Sequence, residues 1–279
     1  MIIKSDWHIH SVSSYDAILS LEEIYKKSEE LGFEKIGITD HLNFNDEKFT
    51  GDLKSSVKSV KEFQTKHPKI VLGVELTPIE KPEFNYIEKH GSRDEYIPPV
   101  IDEIYDLELA MTKEQLMKLG VRYAVGGAHW RVDVPGAKAL PPDKKAMIKE
   151  WYRQQIWLAN DERVTILAHP WYNGLALWYD DFSAIPRSMN MDIAHALKEN
   201  KKYVECNEGV LCSPKTTGKF RRQYAEFIRE LFEMGIPVTY GSDSHKKYAL
   251  YHNEMEKILS EVGFKEDDFS TLDEKDFWI

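Results

Sequence analysis

Two histidines separated by one residue lie near the N-terminus, in the run SDWHIHSVSSYDA at residues 5–17. In an extended strand, side chains two residues apart point to the same face, so Asp6, His8 and His10 are predicted to share one side. A second carboxylate, Asp16, follows six residues after His10. Because histidine is a poor choice for a dry core, this run indicates chemistry rather than packing.

Six further apolar or β-branched runs also end in metal-ligand residue types: KIGITDH, KIVLGVE, VRYAVGGAH, RVTILAHP, KYVECNEG and PVTYGSDSH. The candidate ligands at these ends are His41 after Asp40, Glu75, His129, His169, Glu205 with Asn207, and Asp243 with His245. A single such residue is usually a turn or capping residue. The same chemistry at the end of every run favours a metal centre. Imidazole and carboxylate together suit Zn, Fe or Mn, and so many ligands require several ions.

Helical patterns alternate with these runs. They are predicted near residues 20–31, 54–66, 112–119, 143–160, 190–200, 218–234 and 251–262. For the first helix, Ser20 is the expected N-cap, Glu23 completes a capping box and Gly32 lies just past its end. Strands alternating with helices predict parallel βαβ units, and in a barrel of such units functional groups collect at the C-terminal ends of the strands.

One α/β domain spanning residues 1–279 is the predicted organisation, with loop insertions near 77–111 and 171–189. Connections this long are typical of lids or binding loops. The aromatic run at 171–182 is either a pocket wall or a satellite hydrophobic cluster.

The net charge of −10 disfavours long nucleic acid as a partner, because it weakens electrostatic steering of a polyanion. The two cysteines, Cys206 and Cys212, fit neither a disulfide framework nor a zinc ribbon, which predicts a reducing cytoplasm. No apolar run approaches the length of a membrane span, and we expect no signal peptide. The oligomeric state stays open.

The ordered motifs resemble the polymerase and histidinol phosphatase (PHP) family over about residues 4–250. The resemblance rests on HxH at His8 and His10, TDH ending at His41, GVE at Glu75, GxxH at His129, AHP at His169 and GSDSH from Gly241 to His245. The runs SYDA and ECNEG are similar to the histidinol-phosphatase branch. The family implies a distorted seven-stranded (β/α)7 TIM-like barrel with a trinuclear metal site at its open end.

The resemblance also implies a ligand set of His8, His10, Asp16, His41, Glu75, His129, His169, Asp243 and His245. The first ion would be held by His8, His10, Glu75 and Asp243, with Glu75 as a bridge to a second ion on His129 and His169. The third would be held by Asp16, His41 and His245. Asp6 and Asp40 are predicted to accept hydrogen bonds from the unused ring nitrogens of ligating histidines, although Asp6 could equally be a surface strand residue.

Ions about 3.5–4 Å apart can share a hydroxide and clamp the oxygens of a phosphoryl displacement. Together with this chemistry, the resemblance implies a phosphoesterase acting on a small phosphomonoester such as histidinol phosphate. Glu75 and Asp243 are the predicted catalytic carboxylates. Arg131 is the predicted phosphate anchor, with pairing to Asp133 as its alternative role; Lys246 and Lys247 are weaker candidates. Hydrolysis of a phosphodiester, amide or cyclic ester is one alternative function, and a non-catalytic metal-binding accessory module is another.

Overall fold

The strands form where the apolar runs were predicted, and each of those seven runs contains one. The computed structural model describes residues 1–44, 47–97, 104–129, 144–171 and 181–278. The strands are β1 (Ser5–Ile9), β2 (Lys35–Ile38), β3 (His41–Leu42), β4 (Ile70–Leu76), β5 (Ile79–Glu80), β6 (Leu107–Glu108), β7 (Tyr123–Gly126), β8 (Ile166–Leu167), β9 (Tyr203–Asn207) and β10 (Val238–Gly241).

Seven parallel strands form the barrel wall in the order β1-β2-β4-β7-β8-β9-β10, and β3 adds a short parallel pairing to β4. The first and last strands come together at the seam, where Ile9 bridges Ser244 and the amide of Asp243 donates to the carbonyl of His8 at 2.8 Å. The barrel is therefore nearly closed, and the predicted (β/α)7 TIM-like architecture is confirmed. All the C-terminal ends of its strands meet at one rim.

Helices follow the strands as the apolar spacing predicts. Their bounds are α1 (Leu21–Glu30), α2 (Glu47–Gln64), α3 (Lys81–His90), α4 (Lys113–Leu119), α5 (Lys144–Asn160), α6 (Arg187–Glu199), α7 (Glu208–Leu211), α8 (Gly218–Glu233) and α9 (His252–Glu261). The predicted capping box of Ser20 and Glu23 is confirmed, because each side chain accepts from the other's backbone amide. Gly32, just past the end of α1, has the expected positive φ of 74°.

The long connection at 77–111 contains secondary structure of its own. It holds α3 between β5 and β6, which pair with each other antiparallel. Pro82 occupies the first turn of α3, where the missing amide costs nothing, and Ile87 buries its side chain. Of the second connection, Trp171 is buried and a 3-10 turn covers Phe182–Ala184 before α6 begins; residues 172–180 lie outside the described chain.

The interior of the barrel away from the rim is apolar. A buried cluster, here called the barrel floor, consists of Trp7, Val71, Tyr123, Val125, Ile166, Ala168 and Leu272. The rings of Trp7 and Tyr123 meet edge to face with their centroids 5.5 Å apart, and the ring of Phe277, near the C-terminus, packs 6.2 Å from each of them. The floor therefore closes the end of the barrel opposite the strand C-termini. Within the described ranges, no helix has the length and apolar character needed to cross a bilayer.

Candidate metal centre

The nine predicted ligands lie together at the rim of the barrel, and this set is called the rim cluster below. It comprises His8, His10, Asp16, His41, Glu75, His129, His169, Asp243 and His245. Every member has a ring nitrogen or carboxylate oxygen within 3.6 Å of such an atom on another member. Residues up to 237 positions apart are thus brought together because parallel strands deliver their ends to one rim.

Glu75 lies at the centre of the rim cluster, at the end of β4, with only 1% of its side chain exposed. Its Oε1 atom lies 3.5 Å from Nε2 of His8, 3.5 Å from Nε2 of His129 and 2.9 Å from Nε2 of His169. Its Oε2 atom lies 3.6 Å from Nε2 of His10 and 2.7 Å from Nδ1 of His41. One carboxylate therefore faces five imidazoles, as a bridging ligand would.

His8, His10 and Asp243 form the first group around Glu75. Nε2 of His8 lies 3.1 Å from Nε2 of His10, and Oδ1 of Asp243 lies 3.6 Å and 3.3 Å from these two nitrogens. Four donors about 2.0–2.1 Å from one ion in a tetrahedron lie about 3.3–3.4 Å apart. The spacing therefore fits ligands that surround a single transition-metal ion.

Asp16, His41 and His245 form a second compact group on the other side of His10. Oδ2 of Asp16 lies 3.4 Å from Nε2 of His41 and 3.5 Å from Nε2 of His245. The two imidazole nitrogens are themselves 3.4 Å apart. Three donor atoms at almost equal separations again match the edges of a coordination polyhedron. By the spacing of their donor atoms, three groups of side chains at the rim could hold a metal ion: His8, His10 and Asp243; His8, Glu75 and His169; and His10, His41 and His245.

Hydrogen bonds on the far side of the rings assign the tautomers of several histidines. Nδ1 of His8 lies 2.8 Å from Oε1 of Glu205, Nδ1 of His129 lies 2.9 Å from Oγ1 of Thr77, and Nδ1 of His245 lies 2.9 Å from the carbonyl of Asp243. A carboxylate or carbonyl can only accept, so Nδ1 of His8 and His245 carries the proton. Thr77 donates its hydroxyl proton to Asn43, so it accepts from His129. The Nε2 atoms therefore face the rim cluster and are the ring nitrogens through which these histidines can bind a metal.

The carboxylates of the rim cluster and two of its six imidazoles have the charge states of metal ligands. Burial alone would raise the pKa of Glu75, but His8 and His41 beside it lower that pKa well below its usual range. The pKa of Asp243 is likewise lowered against the effect of burial, chiefly by His8 and His10. Burial lowers the pKa of His10 to about 3 and that of His129 to about 4. At neutral pH the carboxylates are ionised and these two imidazoles are neutral, which is the state in which each binds a metal. Against the effect of burial, neighbouring carboxylates raise the pKa values of the other four, His8, His41, His169 and His245, so a metal ion would have to displace their protons.

One close contact at the centre of the rim cluster lacks the direction of a hydrogen bond. Nδ1 of His41 and Oε2 of Glu75 lie 2.7 Å apart, yet neither makes a well-aligned hydrogen bond within the described part of the chain. Both atoms are buried, and a buried polar atom without such a partner costs free energy. A cation bound at Oε2 would satisfy this carboxylate oxygen, so Glu75 fits the metal that the sequence predicts.

The prediction for the two outer aspartates was wrong. Asp40 accepts from Ser11, Ser14 and Ser56, and so orders the loop after β1 rather than an imidazole. Asp6 is fully buried, and its Oδ1 accepts from the backbone amides of His8 and Ser242 at the barrel seam. Backbone amides at the seam and hydroxyls of the following loop are closer partners than any ring nitrogen, and strand alternation does not reveal them.

The acceptors that do hold the imidazoles are Glu205 and Thr77, and sequence reasoning did not assign them this role. Glu205 was visible as a polar residue near the end of a predicted strand, but its partner His8 is 197 residues away. Thr77 carries no signal of its own, since a threonine after a strand is ordinarily a turn residue. Arg131, the predicted phosphate anchor, and its alternative partner Asp133 lie outside the described residues. Lys246 and Lys247 are exposed on the loop after β10.

Comparison with known proteins agrees with this geometry. The profile of a family described as "PHP domain" matches residues 6–267. The crystal structure of histidinol phosphate phosphatase from Lactococcus lactis subsp. lactis Il1403, complexed with zinc, L-histidinol and phosphate, superposes with a TM-score of 0.65. Its sequence identity is 19%, over 95% of this chain and 96% of that one, so the likeness confirms the fold.

A second solved structure is more distant. It belongs to the metal-dependent tyrosine phosphatases YwqE from Bacillus subtilis and CpsB from Streptococcus pneumoniae, with a TM-score of 0.48 and 13% identity. The alignment covers 94% of this chain and 88% of that one, and it is too weak to support an inference about function. No curated protein is similar enough to this chain to match it.

Proposed function

The chain belongs to the PHP domain family, and we propose that it is a metal-dependent phosphoesterase that hydrolyses a small phosphomonoester. The observation that carries this proposal is the position of Glu75, a buried carboxylate with imidazoles on both of its oxygens. A carboxylate has two oxygens and can bridge two ions, whereas a neutral imidazole offers one lone pair. This arrangement is the one that a multinuclear hydrolytic centre needs.

The proposed centre holds two or three divalent ions, with Zn, Fe or Mn as the candidates for mixed imidazole and carboxylate ligands. His8, His10, Glu75 and Asp243 would hold the first ion; Glu75, His129 and His169 the second; and Asp16, His41 and His245 the third. The zinc in the Lactococcus lactis structure supports zinc as one candidate. When bound, adjacent ions would acidify a shared water and neutralise the charge of the transferring phosphoryl group.

The protein's own residues supply orientation and charge. Glu75 and Asp243 stay ionised in a buried setting and so offset the charge of the ions. The acceptors at Nδ1 of His8, His129 and His245 hold these rings with Nε2 inward, so ligand geometry is fixed before substrate arrives. Arg131 is proposed to anchor the phosphate through charge-assisted hydrogen bonds.

The proposed substrate is histidinol phosphate or a phosphomonoester of similar size, in a step of histidine biosynthesis. Three observations support a compact substrate. The Lactococcus lactis protein binds L-histidinol and phosphate, the SYDA and ECNEG runs are similar to the histidinol-phosphatase branch, and the net charge of −10 weakens attraction of a long polyanion.

The test is a comparison of kcat/KM across substrate classes, with protein supplied separately with Zn²⁺, Mn²⁺ or Fe²⁺. We expect histidinol phosphate and other small phosphomonoesters to be cleaved faster than bis(4-nitrophenyl) phosphate and single-stranded DNA. A Glu75→Gln preparation, purified in parallel, controls for contaminating phosphatases. Faster cleavage of the diester or of DNA would overturn the substrate proposal.

The role of Arg131 is tested with the same assay. Removing a phosphate anchor should raise KM and lower kcat/KM together, because the contact is made in both the bound state and the transition state. Arg131→Ala should therefore impair phosphomonoester hydrolysis more than Lys246→Ala, which removes an exposed charge from the same rim. An Arg131→Ala protein with unchanged kcat/KM would assign this arginine to a surface pair with Asp133 instead.

A further inference from the structure

We propose that Glu205 is a positioning residue that orients ligands of two neighbouring metal sites through a single buried carboxylate. The inference rests on the metal centre proposed above, and it assigns a role to a residue outside the ligand set. Glu205 lies in β9, which contributes no member to the rim cluster. Its side chain is 1% exposed and contacts the rim cluster at His8 and His169.

The two oxygens of Glu205 serve different sites. Oε1 lies 2.8 Å from Nδ1 of His8, and this imidazole belongs to the group with His10 and Asp243. Oε2 accepts from the backbone amide of His169, whose ring faces Glu75 in the neighbouring group. One carboxylate therefore fixes the ring of a ligand in one site and the main chain of a ligand in the next.

The backbone of His169 explains why that second contact matters. His169 has a φ of 27°, which non-glycine residues rarely adopt. Such a conformation persists only when its surroundings hold it in place. The hydrogen bond from its amide to Glu205 supplies part of that restraint, and it sets the direction in which the imidazole leaves the chain.

A third partner links the carboxylate to Asp243. Nδ2 of Asn207 lies 3.2 Å from Oε2 of Glu205 and 3.3 Å from Oδ2 of Asp243. Asn207 is itself held in place, because its Oδ1 accepts from the amide of Val210 at the start of α7. The network therefore contacts three members of the rim cluster: His8, His169 and Asp243.

The space for this carboxylate is kept open by a glycine on the adjoining strand. A Cβ atom built on Gly241 in β10 would lie 1.6 Å from Oε1 of Glu205 and 2.8 Å from Cβ of His8. Any larger residue there would displace the carboxylate or the imidazole. The strand pairing of Gly241 with Asn207 places this gap beside the network.

The donor pattern predicts what Glu205→Gln would do. The carboxylate accepts on both oxygens, but an amide has one acceptor and one donor end. If the amide oxygen keeps the His169 N–H, its NH₂ group faces His8, which must then accept at Nδ1 and carry its proton on Nε2. In that tautomer the lone pair is on Nδ1, so Nε2, which faces the rim cluster, has none for a metal ion. If the side-chain amide is flipped instead, its NH₂ group faces the backbone N–H of His169, and two hydrogen-bond donors then lie opposite each other.

The test measures metal binding directly. Metal-free wild type and Glu205→Gln are titrated with Zn²⁺ and, separately, with Mn²⁺ by calorimetry, and bound metal is counted by elemental analysis. Loss of such a partner typically weakens metal affinity about 10–100-fold, and we expect a loss of that size with fewer ions retained.

Glu208→Gln is the matched control. Glu208 is similarly buried and accepts from the hydroxyl of Tyr240 and the backbone amide of Tyr251, and among the described residues it makes no hydrogen bond or ion pair with an imidazole of the rim cluster. Gly241→Ala should reproduce the effect of Glu205→Gln by displacing the carboxylate. Wild-type affinity in Glu205→Gln, or an equal loss in Glu208→Gln, would overturn the inference while leaving the proposed hydrolase standing.

A measurement on wild type needs no variant to fold. Nitrogen NMR of zinc-loaded protein reports which ring nitrogen of His8 carries the proton, and the shift of that proton reports whether it is hydrogen-bonded to a carboxylate, which zinc binding alone would not produce. We expect the proton on Nδ1. A proton on Nε2, or an Nδ1 proton without the downfield shift of a hydrogen bond to a carboxylate, would overturn the inference. A loaded protein that hydrolyses no phosphomonoester would overturn the proposed function alone.

Discussion

The two ends of the barrel differ in chemistry although the same strands build both. The rim cluster gathers imidazoles and carboxylates, whereas the barrel floor is made of aromatic and aliphatic side chains. In β1, Trp7 lies in the floor while its neighbour His8 faces the rim cluster. A register irregularity in the pairing of β1 with β2, between Asp6 and Ile9, accompanies this change of face.

The comparison shows how the barrel combines a costly site with a stable fold. Burying ionised carboxylates such as Glu75 is unfavourable unless they are paired. Burying the apolar side chains of the floor is favourable, at about 25 cal/mol for each Å² removed from water. We therefore assign stability mainly to the floor and the helical layer, and metal chemistry to the rim cluster.

Metal removal should distinguish the role of the rim cluster from that of the barrel floor most clearly. Chelation followed by gel filtration should abolish phosphatase turnover, because the rim cluster then lacks its ions, while far-ultraviolet circular dichroism stays near that of the loaded protein. A barrel of this length has a core of its own and does not need the metal to fold. Re-addition of Zn²⁺ or Mn²⁺ should restore turnover. Full unfolding on chelation would show that the rim cluster, not the floor, holds the barrel together.

Glu75→Gln and Asp243→Asn should each reduce kcat by several orders of magnitude. Each change removes a negative charge and a ligand oxygen from the proposed pair of metal ions but keeps the shape of the side chain. Steady-state kinetics measures the loss, and thermal unfolding of the same metal-free samples should show that the fold survives. Near-normal turnover in Glu75→Gln would refute the bridging role.

Leu272→Ala, in the barrel floor, should lower stability rather than turnover. Leu272 is fully buried in the barrel floor, and truncating such a leucine costs about 2–5 kcal/mol through lost burial and a cavity. Urea unfolding measures the free energy of unfolding, and kcat of the folded fraction should stay within a few-fold of wild type. If turnover fell as much as in Glu75→Gln, the assignment of separate roles to the two ends would fail.

Asp16→Asn should have the smallest effect on rate. Asp16 is the most exposed carboxylate of the rim cluster, and it contacts only His41 and His245 among the described ligands. Its loss should lower affinity for one ion and leave the pair around Glu75 in place. Metal counting alongside kinetics checks this order. A larger loss of kcat than in Glu75→Gln would indicate that the catalytic pair of metal ions includes the one held by Asp16.

The barrel could be predicted from local pattern, whereas the nine members of the rim cluster were selected by the resemblance of the strand-end motifs to the PHP family. Apolar runs that end in ligand residues mark strands, and parallel strands bring their ends to one rim. The sequence did not predict which residues hold the imidazoles. Glu205 and Thr77 act on His8 and His129 across the barrel, and no local spacing encodes those contacts. Asp40 was misassigned because nearby serine hydroxyls and an amide take up its oxygens.

Helix α3 is a second feature that was not predicted from the sequence. Residues 81–90 were predicted to be part of a long connection because the two strands that flank them gave no signal in the sequence. These strands, β5 and β6, are only two residues long. Two-residue strands carry no alternation that can be recognised. Pro82 at its start and the buried Ile87 were the available signals for the helix.

The central claim is that the rim cluster holds two or three divalent ions bridged by Glu75. Anomalous diffraction from crystals of protein loaded with zinc, collected on both sides of the zinc absorption edge, locates such ions without reference to activity. We predict peaks about 2.0–2.2 Å from Nε2 of His8 and His169 and from an oxygen of Glu75. Well-ordered rim side chains with no anomalous peak among them, in protein saturated with zinc, would contradict the account.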